Sequence, residues 1–169
     1  MVAARTRWLA WACVGVGVFM VSTPFASPLV GTPFDGLPAL AWSTDRALLH
    51  VLPGCITILI GLVLLRGSTR IVIGNGWWVL VGALVAVGAW DGLGPWLYDV
   101  LVPGAGQSGL MFLTIPHFRQ SASVHQILVK AFCHWVPGMV TVALALAWLS
   151  HGTMTHLLRR RTAPTQTLS

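Results

Sequence analysis

The chain has no glutamate, one lysine and four aspartates among its 169 residues. Without glutamate there is no His-Glu-x-x-His metalloprotease helix, and any catalytic carboxylate has to be an aspartate. No Walker loop and no Gly-x-Ser-x-Gly elbow is present either. Charged residues make up only 8% of the sequence, against about 25% in a typical soluble domain. A soluble fold is thereby excluded. The three cysteines, Cys13, Cys55 and Cys133, lie in apolar runs without a Cys-x-x-Cys pair. They read as small packed residues, neither a disulfide framework nor a cysteine zinc site.

What is abundant is apolar: 56% hydrophobic residues, eighteen glycines, nine tryptophans, and a mean hydropathy of +0.79. With about 20 residues needed per span, the chain is filled by four helices and their loops. The sequence therefore predicts an all-α integral membrane four-helix bundle over residues 1–152. Its spans are expected at about 8–25, 47–65, 77–96 and 124–150, followed by a basic disordered tail over 153–169. The Asp91-Gly-Leu-Gly-Pro95 stretch is expected to break the third span. The first span resembles a signal peptide in its basic start, yet Pro24 and Pro28 crowd the one candidate cleavage site, so it is read as retained.

The net charge of +6 does not form a nucleic-acid patch. Seven arginines (Arg5, Arg7, Arg66, Arg70, Arg159, Arg160, Arg161) lie at the two termini and the middle connection, whereas Arg46, Arg119 and Lys130 belong to the other two connections. By the positive-inside rule both termini are expected in the cytoplasm of a plasma-membrane, multi-pass protein. Trp8, Trp11, Trp77, Trp78 and Trp148 are expected at the inner interface, and Trp42, Trp90, Trp96 and Trp135 at the outer one. Arginine far outnumbers lysine, and Ala, Gly and Val are plentiful, a usage that fits a high-GC bacterium such as an actinobacterium.

One cluster is written twice. His50-Val-Leu-Pro53-Gly54-Cys-Ile-Thr57 returns 84 residues later as His134-Trp-Val-Pro137-Gly138-Met-Val-Thr141. The repetition predicts two pseudo-repeats of two spans each. Pro53 and Pro137 each free a carbonyl one turn back, and Gly54 and Gly138 loosen the same turns, so all four mark helix kinks. At 1.5 Å per residue, His50 lies about 24 Å from Arg66. Asp91, Ser22, Thr23 and His134 fall near the same level, giving a candidate polar layer of His50, His134, Asp91, Ser22 and Thr23. Buried ionisable groups at such a depth must face the bundle or water. Two readings stand: a kink-and-lock device, in which histidine donates to backbone and Thr57 or Thr141 bonds locally, and a ligand or proton-handling site. Asp91 either ends the third helix at the interface or pairs with a histidine. His117 reads as a solvated loop residue, His125 as unable to share a face with His134, and His151 and His156 as interfacial.

Each half is an odd span closing on a proline-aromatic step (Ser22-Thr23-Pro24-Phe25, then Gly94-Pro95-Trp96), an outer loop, and a second span entered through a polar group. This arrangement resembles the small actinobacterial membrane proteins with SPW repeats. The resemblance implies a plasma-membrane protein of undefined biochemical role, with no catalytic residues to carry over. Three main function classes are open. The first is an accessory or assembly component, with lipid, other membrane proteins or its own copies as partners. The second is a small oligomeric transporter or channel. The third is a redox or metal-binding membrane protein with His50 and His134 as ligands of a metal or of haem b. A membrane-embedded enzyme is a fourth, lesser class, and no nucleic-acid partner is expected.

Overall fold

A computed structural model describes residues 2–30, 38–66, 76–101 and 124–162. Residues 1, 31–37, 67–75, 102–123 (His117 among them) and 163–169 lie outside that set, as do the side chains of Trp96, His125, His151 and His156. Among the described residues the fold is all-helical. Helix α1 (Val2–Ala26) ends in a 3₁₀ turn, Ser27–Val30. A short α2 (Thr44–Arg46) enters a π turn, Ala47–Val51, that runs directly into α3 (Leu52–Arg66). Helices α4 (Gly76–Leu101) and α5 (Val124–Thr162) complete the bundle. Four segments are long and apolar enough to cross a bilayer: Arg7–Leu29, Thr44–Arg66, Gly76–Pro95 and Phe132–Ser150.

Two tight helix pairs build the bundle, and glycine sets their approach. A Cβ on Gly17 of α1 would lie 2.6 Å from the carbonyl oxygen of Gly54 on α3, and one on Gly88 of α4 would lie 2.8 Å from that of Gly138 on α5. With no hydrophobic drive between helices in lipid, such backbone contact maximises dispersion where it is available. Farther along the first pair, Gly61 meets the backbone of Ala10, so the pair is antiparallel. Trp77 against Trp148, 5.4 Å between ring centroids, gives α4 and α5 the same relation.

The interior has two storeys. Toward the chain termini it is apolar, built from Ala10, Cys13, Ile60, Trp77, Val81, Leu84, Leu144, Ala145 and Trp148. Toward the other end it is polar, with Arg46, His50, Asp91 and His134 all buried. The outward faces are apolar instead: Leu59, Val79, Leu128, Met139 and Leu146 are all more than half exposed, as suits contact with lipid.

Three expectations change. Asp91-Gly-Leu-Gly-Pro95 does not break α4, which continues to Leu101. Leu49 and Trp90 pack around Gly94, and Pro95 sits inside the helix, where it removes the backbone bond to the Asp91 carbonyl without ending the helix. Helix α5 runs to Thr162, carrying Arg159, Arg160 and Arg161 on helix where a disordered tail was expected from 153. Leucine and arginine are good helix formers, and the next proline is Pro164. Trp77 and Trp148, assigned to an interfacial belt, are buried in the core; their indoles fill the space between α4 and α5 near its terminal end. Trp8, Trp11, Trp42, Trp78 and Trp135 do lie exposed.

Candidate functional site

The polar storey begins with a proline. Pro53 has no N–H, so the α-helical partner of the Leu49 carbonyl is lost. The chain responds one turn earlier, where the Leu52 N–H donates to Ala47 in π register. That shift takes the Leu52 N–H away from Leu48, whose carbonyl accepts instead from the Trp90 indole N–H of α4 at 2.9 Å. π turns widen a helix locally and are frequent at functional sites. Here the turn carries His50.

His50 and His134 meet across the bundle. Both are buried, and their ring centroids are 4.5 Å apart with the planes tilted by 31°. Asp91 of α4 is fully buried beside them. Nitrogen atoms of the two histidines and a carboxylate oxygen of Asp91 all lie within 4.8 Å of one another. Neither carboxylate oxygen of Asp91 has a hydrogen-bond partner among the described residues. An unpaired carboxylate at this depth is costly, and natural proteins retain buried charges chiefly when paired or bound to metal.

The threonines of the two repeated clusters act locally. Thr57 Oγ1 donates to the Pro53 carbonyl at 2.9 Å and Thr141 Oγ1 to that of Pro137 at 2.8 Å. Such back-bonding to the preceding turn bends a helix slightly. Pro53, Gly54, Pro137 and Gly138 are all buried, with each glycine at a helix–helix contact, so they shape the packing as well as the helix axis.

Ser22 and Thr23 do not join the cluster. Ser22 is exposed and its hydroxyl donates to the Phe19 carbonyl at 3.2 Å, while buried Thr23 donates to the same carbonyl at 2.6 Å. Both hydroxyls bond back to their own helix, and a shared depth did not imply a shared direction. Asp91 resolves the other way. It sits inside a continuing helix, facing the histidines, and does not cap a helix end at water.

Arg46 closes the polar end. Almost completely buried, it donates through Nη1 to the carbonyls of Pro38, Ala39 and Ala41, at 3.0, 3.2 and 2.6 Å. Its guanidinium also lies 5.4 Å from the centroid of Phe25, which stacks on Trp42. Sequence reasoning counted Arg46 only as a topology signal and Trp90 only as an interfacial ring. No sequence signal pointed to the Trp90 contact, which joins residues 42 positions apart and depends on the π turn.

No known family, no curated protein and no solved structure matches this chain. The site must therefore be read from its own geometry.

Proposed function

We propose that this is an integral membrane metal-binding protein, with His50, His134 and Asp91 as ligands to one transition-metal ion. A single observation carries the reading. Two imidazoles and an otherwise unpartnered carboxylate, from three separate helical segments, converge inside an apolar bundle. Two histidines and one carboxylate are a recurrent ligand set for d-block ions, with positions left for other donors. Ligand atoms 4.8 Å apart or closer need to draw in by roughly 1.5 Å to surround an ion at about 2.0–2.2 Å from each, within the reach of side-chain rotation.

This reading ranks above the two other classes left open by the sequence. The accessory-component class rests on missing motifs, the metal class on a built cluster. For a transporter, the backbone contacts at Gly17–Gly54 and Gly88–Gly138 leave little width within either helix pair. Haem b fits less well than a bare ion. Imidazole centroids 4.5 Å apart are in direct contact range, and a porphyrin has to pass between its two axial ligands.

The proposal includes the arrangement of the chain. The protein consists of two pseudo-repeats, α1 with α3 and α4 with α5, and both termini face the cytoplasm. The arginine asymmetry supports the orientation. The paired Gly17–Gly54 and Gly88–Gly138 contacts support the duplication. The site then lies in the outer half of the membrane, under the Arg46 cap.

The test is elemental analysis of protein purified in mild detergent from metal-replete cells, alongside His50→Ala, His134→Ala and Asp91→Asn. One equivalent of a transition metal is expected, lost in each variant. Metal-free wild-type protein that also fails to take up zinc or copper on titration sinks the reading.

A further inference from the structure

The two halves of the site do not carry the same residues, and the difference defines the ion. Helix α1 touches α3 through Gly17 and α5 through Phe19, whose ring meets Phe132 at 6.2 Å. Helix α4 touches α5 through Gly88 and, through Trp90, the π turn leading into α3. The spacing is identical: a glycine at the tight contact, then an aromatic two residues on at the other neighbour. On α4 the next residue, Asp91, falls between these two contacts and faces the histidines. On α1 the next residue is Met20.

At about 100° per residue, Met20 lies about 60° from Gly17, inside the arc between the α3 and α5 contacts, as Asp91 does on α4. Its depth agrees as well. Met20 is three residues, about 4.5 Å, beyond the Gly17–Gly54 level, and His50 is four residues, about 6 Å, beyond the same level. Met20 is fully buried, so its thioether is committed to the bundle interior.

Resting on the metal-binding reading above, we propose that Met20 supplies a thioether donor opposite Asp91, and that the resident ion is Cu(I). Thioether and imidazole together favour copper over harder ions. Charge points the same way. Asp91 is the one fully buried carboxylate among the described residues. With neutral imidazoles and a neutral thioether, Asp91 is the one charge in the ligand set, so a monovalent ion leaves that set neutral, whereas a divalent ion leaves a positive charge in hydrocarbon beside the buried Arg46. Cys133, buried next to His134, is the rival sulfur, and the experiment separates the two.

The experiment titrates detergent-purified full-length protein with Cu(I), buffered by bicinchoninate under anaerobic conditions, and separately with Zn(II). Wild type, Met20→Leu and Cys133→Ser are compared, each first shown to be monodisperse by size exclusion. Copper-edge absorption spectra are taken on the loaded samples. The expected result is one Cu(I) with a copper–sulfur distance in wild type and Cys133→Ser. In Met20→Leu that distance disappears, and Cu(I) affinity falls at least tenfold while Zn(II) affinity changes less than threefold. Copper bound equally by wild type and Met20→Leu, without a sulfur neighbour, overturns the role of Met20 and leaves the three-ligand site standing. Tighter binding of Zn(II) than of Cu(I) overturns the monovalent assignment. Failure of wild type to bind either ion removes the metal-binding reading itself.

Discussion

Trp90 of α4 donates its indole N–H to the Leu48 carbonyl across 2.9 Å, at the point where a π turn has withdrawn that carbonyl's own helical partner. The contact joins the disturbance created by Pro53 to the helix that carries Asp91. The irregular backbone under His50 and the position of the carboxylate beside it are therefore fixed together. Trp90→Phe keeps the ring and removes the donor. It is expected to destabilise the protein by about 1 kcal/mol, the net worth of a part-buried hydrogen bond. Thermal unfolding in detergent followed by circular dichroism measures it; a melting curve that overlays wild type means that another group satisfies Leu48.

The glycine contacts separate packing from propensity. Gly17→Ala and Gly138→Ala each place a methyl group within 3 Å of a neighbouring backbone atom, an overpacking expected to cost about 1–3 kcal/mol. Gly15→Ala and Gly82→Ala meet nothing within 4 Å, so they should be neutral or stabilising by up to about 1 kcal/mol through helix propensity. Equal effects at all four positions contradict the assigned interfaces.

Asp91 is expected to oppose stability when no metal is bound. Asp91→Leu removes a buried carboxylate that has no hydrogen-bond partner and refills most of its volume. The chelator-treated variant should melt at or above chelator-treated wild type. Only wild type should then gain stability on adding metal, because a ligand that binds the folded state alone stabilises it. An apo variant that melts well below apo wild type shows Asp91 to be a structural hydrogen-bonding residue.

Arg46 offers a test of the polar cap. Lysine retains the charge but is shorter and lacks the planar guanidinium that lies over Phe25, so an ammonium cannot hold the Nη1 position among the three carbonyls and the ring contact together. Arg46→Lys is expected to cost about 1.5–3 kcal/mol, the range for hydrogen bonds to a charged group. It should also speed protease cleavage in the 38–43 segment. Unchanged cleavage with lowered stability means that the segment is held by contacts other than Arg46.

The proposed orientation is checked by reporter fusions. Fusions after Ser169 and in the 67–75 connection should report cytoplasm, and fusions near Asp35 and Gln107 the opposite side. A C-terminal fusion that reports the outside reverses the assignment and moves the site to the inner half of the membrane.

The sequence by itself determined the class, an all-helical chain with four helices long and apolar enough to cross a membrane. Long apolar runs leave backbone polar groups no choice but to pair internally, and that constraint is local. It also marked His50, His134 and Asp91, because ionisable residues in such runs stand out whatever the fold. The tertiary structure decided which of the polar groups meet. Ser22 and Asp91 were matched in depth, yet rotation about the helix axis turns one to the exterior and the other to the core, and rotation is set by the glycine contacts between helices. It also decided that α4 continues through Gly92, Gly94 and Pro95, with Leu49 and Trp90 packed around Gly94. The Trp90–Leu48 bond joins residues 42 positions apart, and a separation in sequence carries no information about distance until the helices have packed.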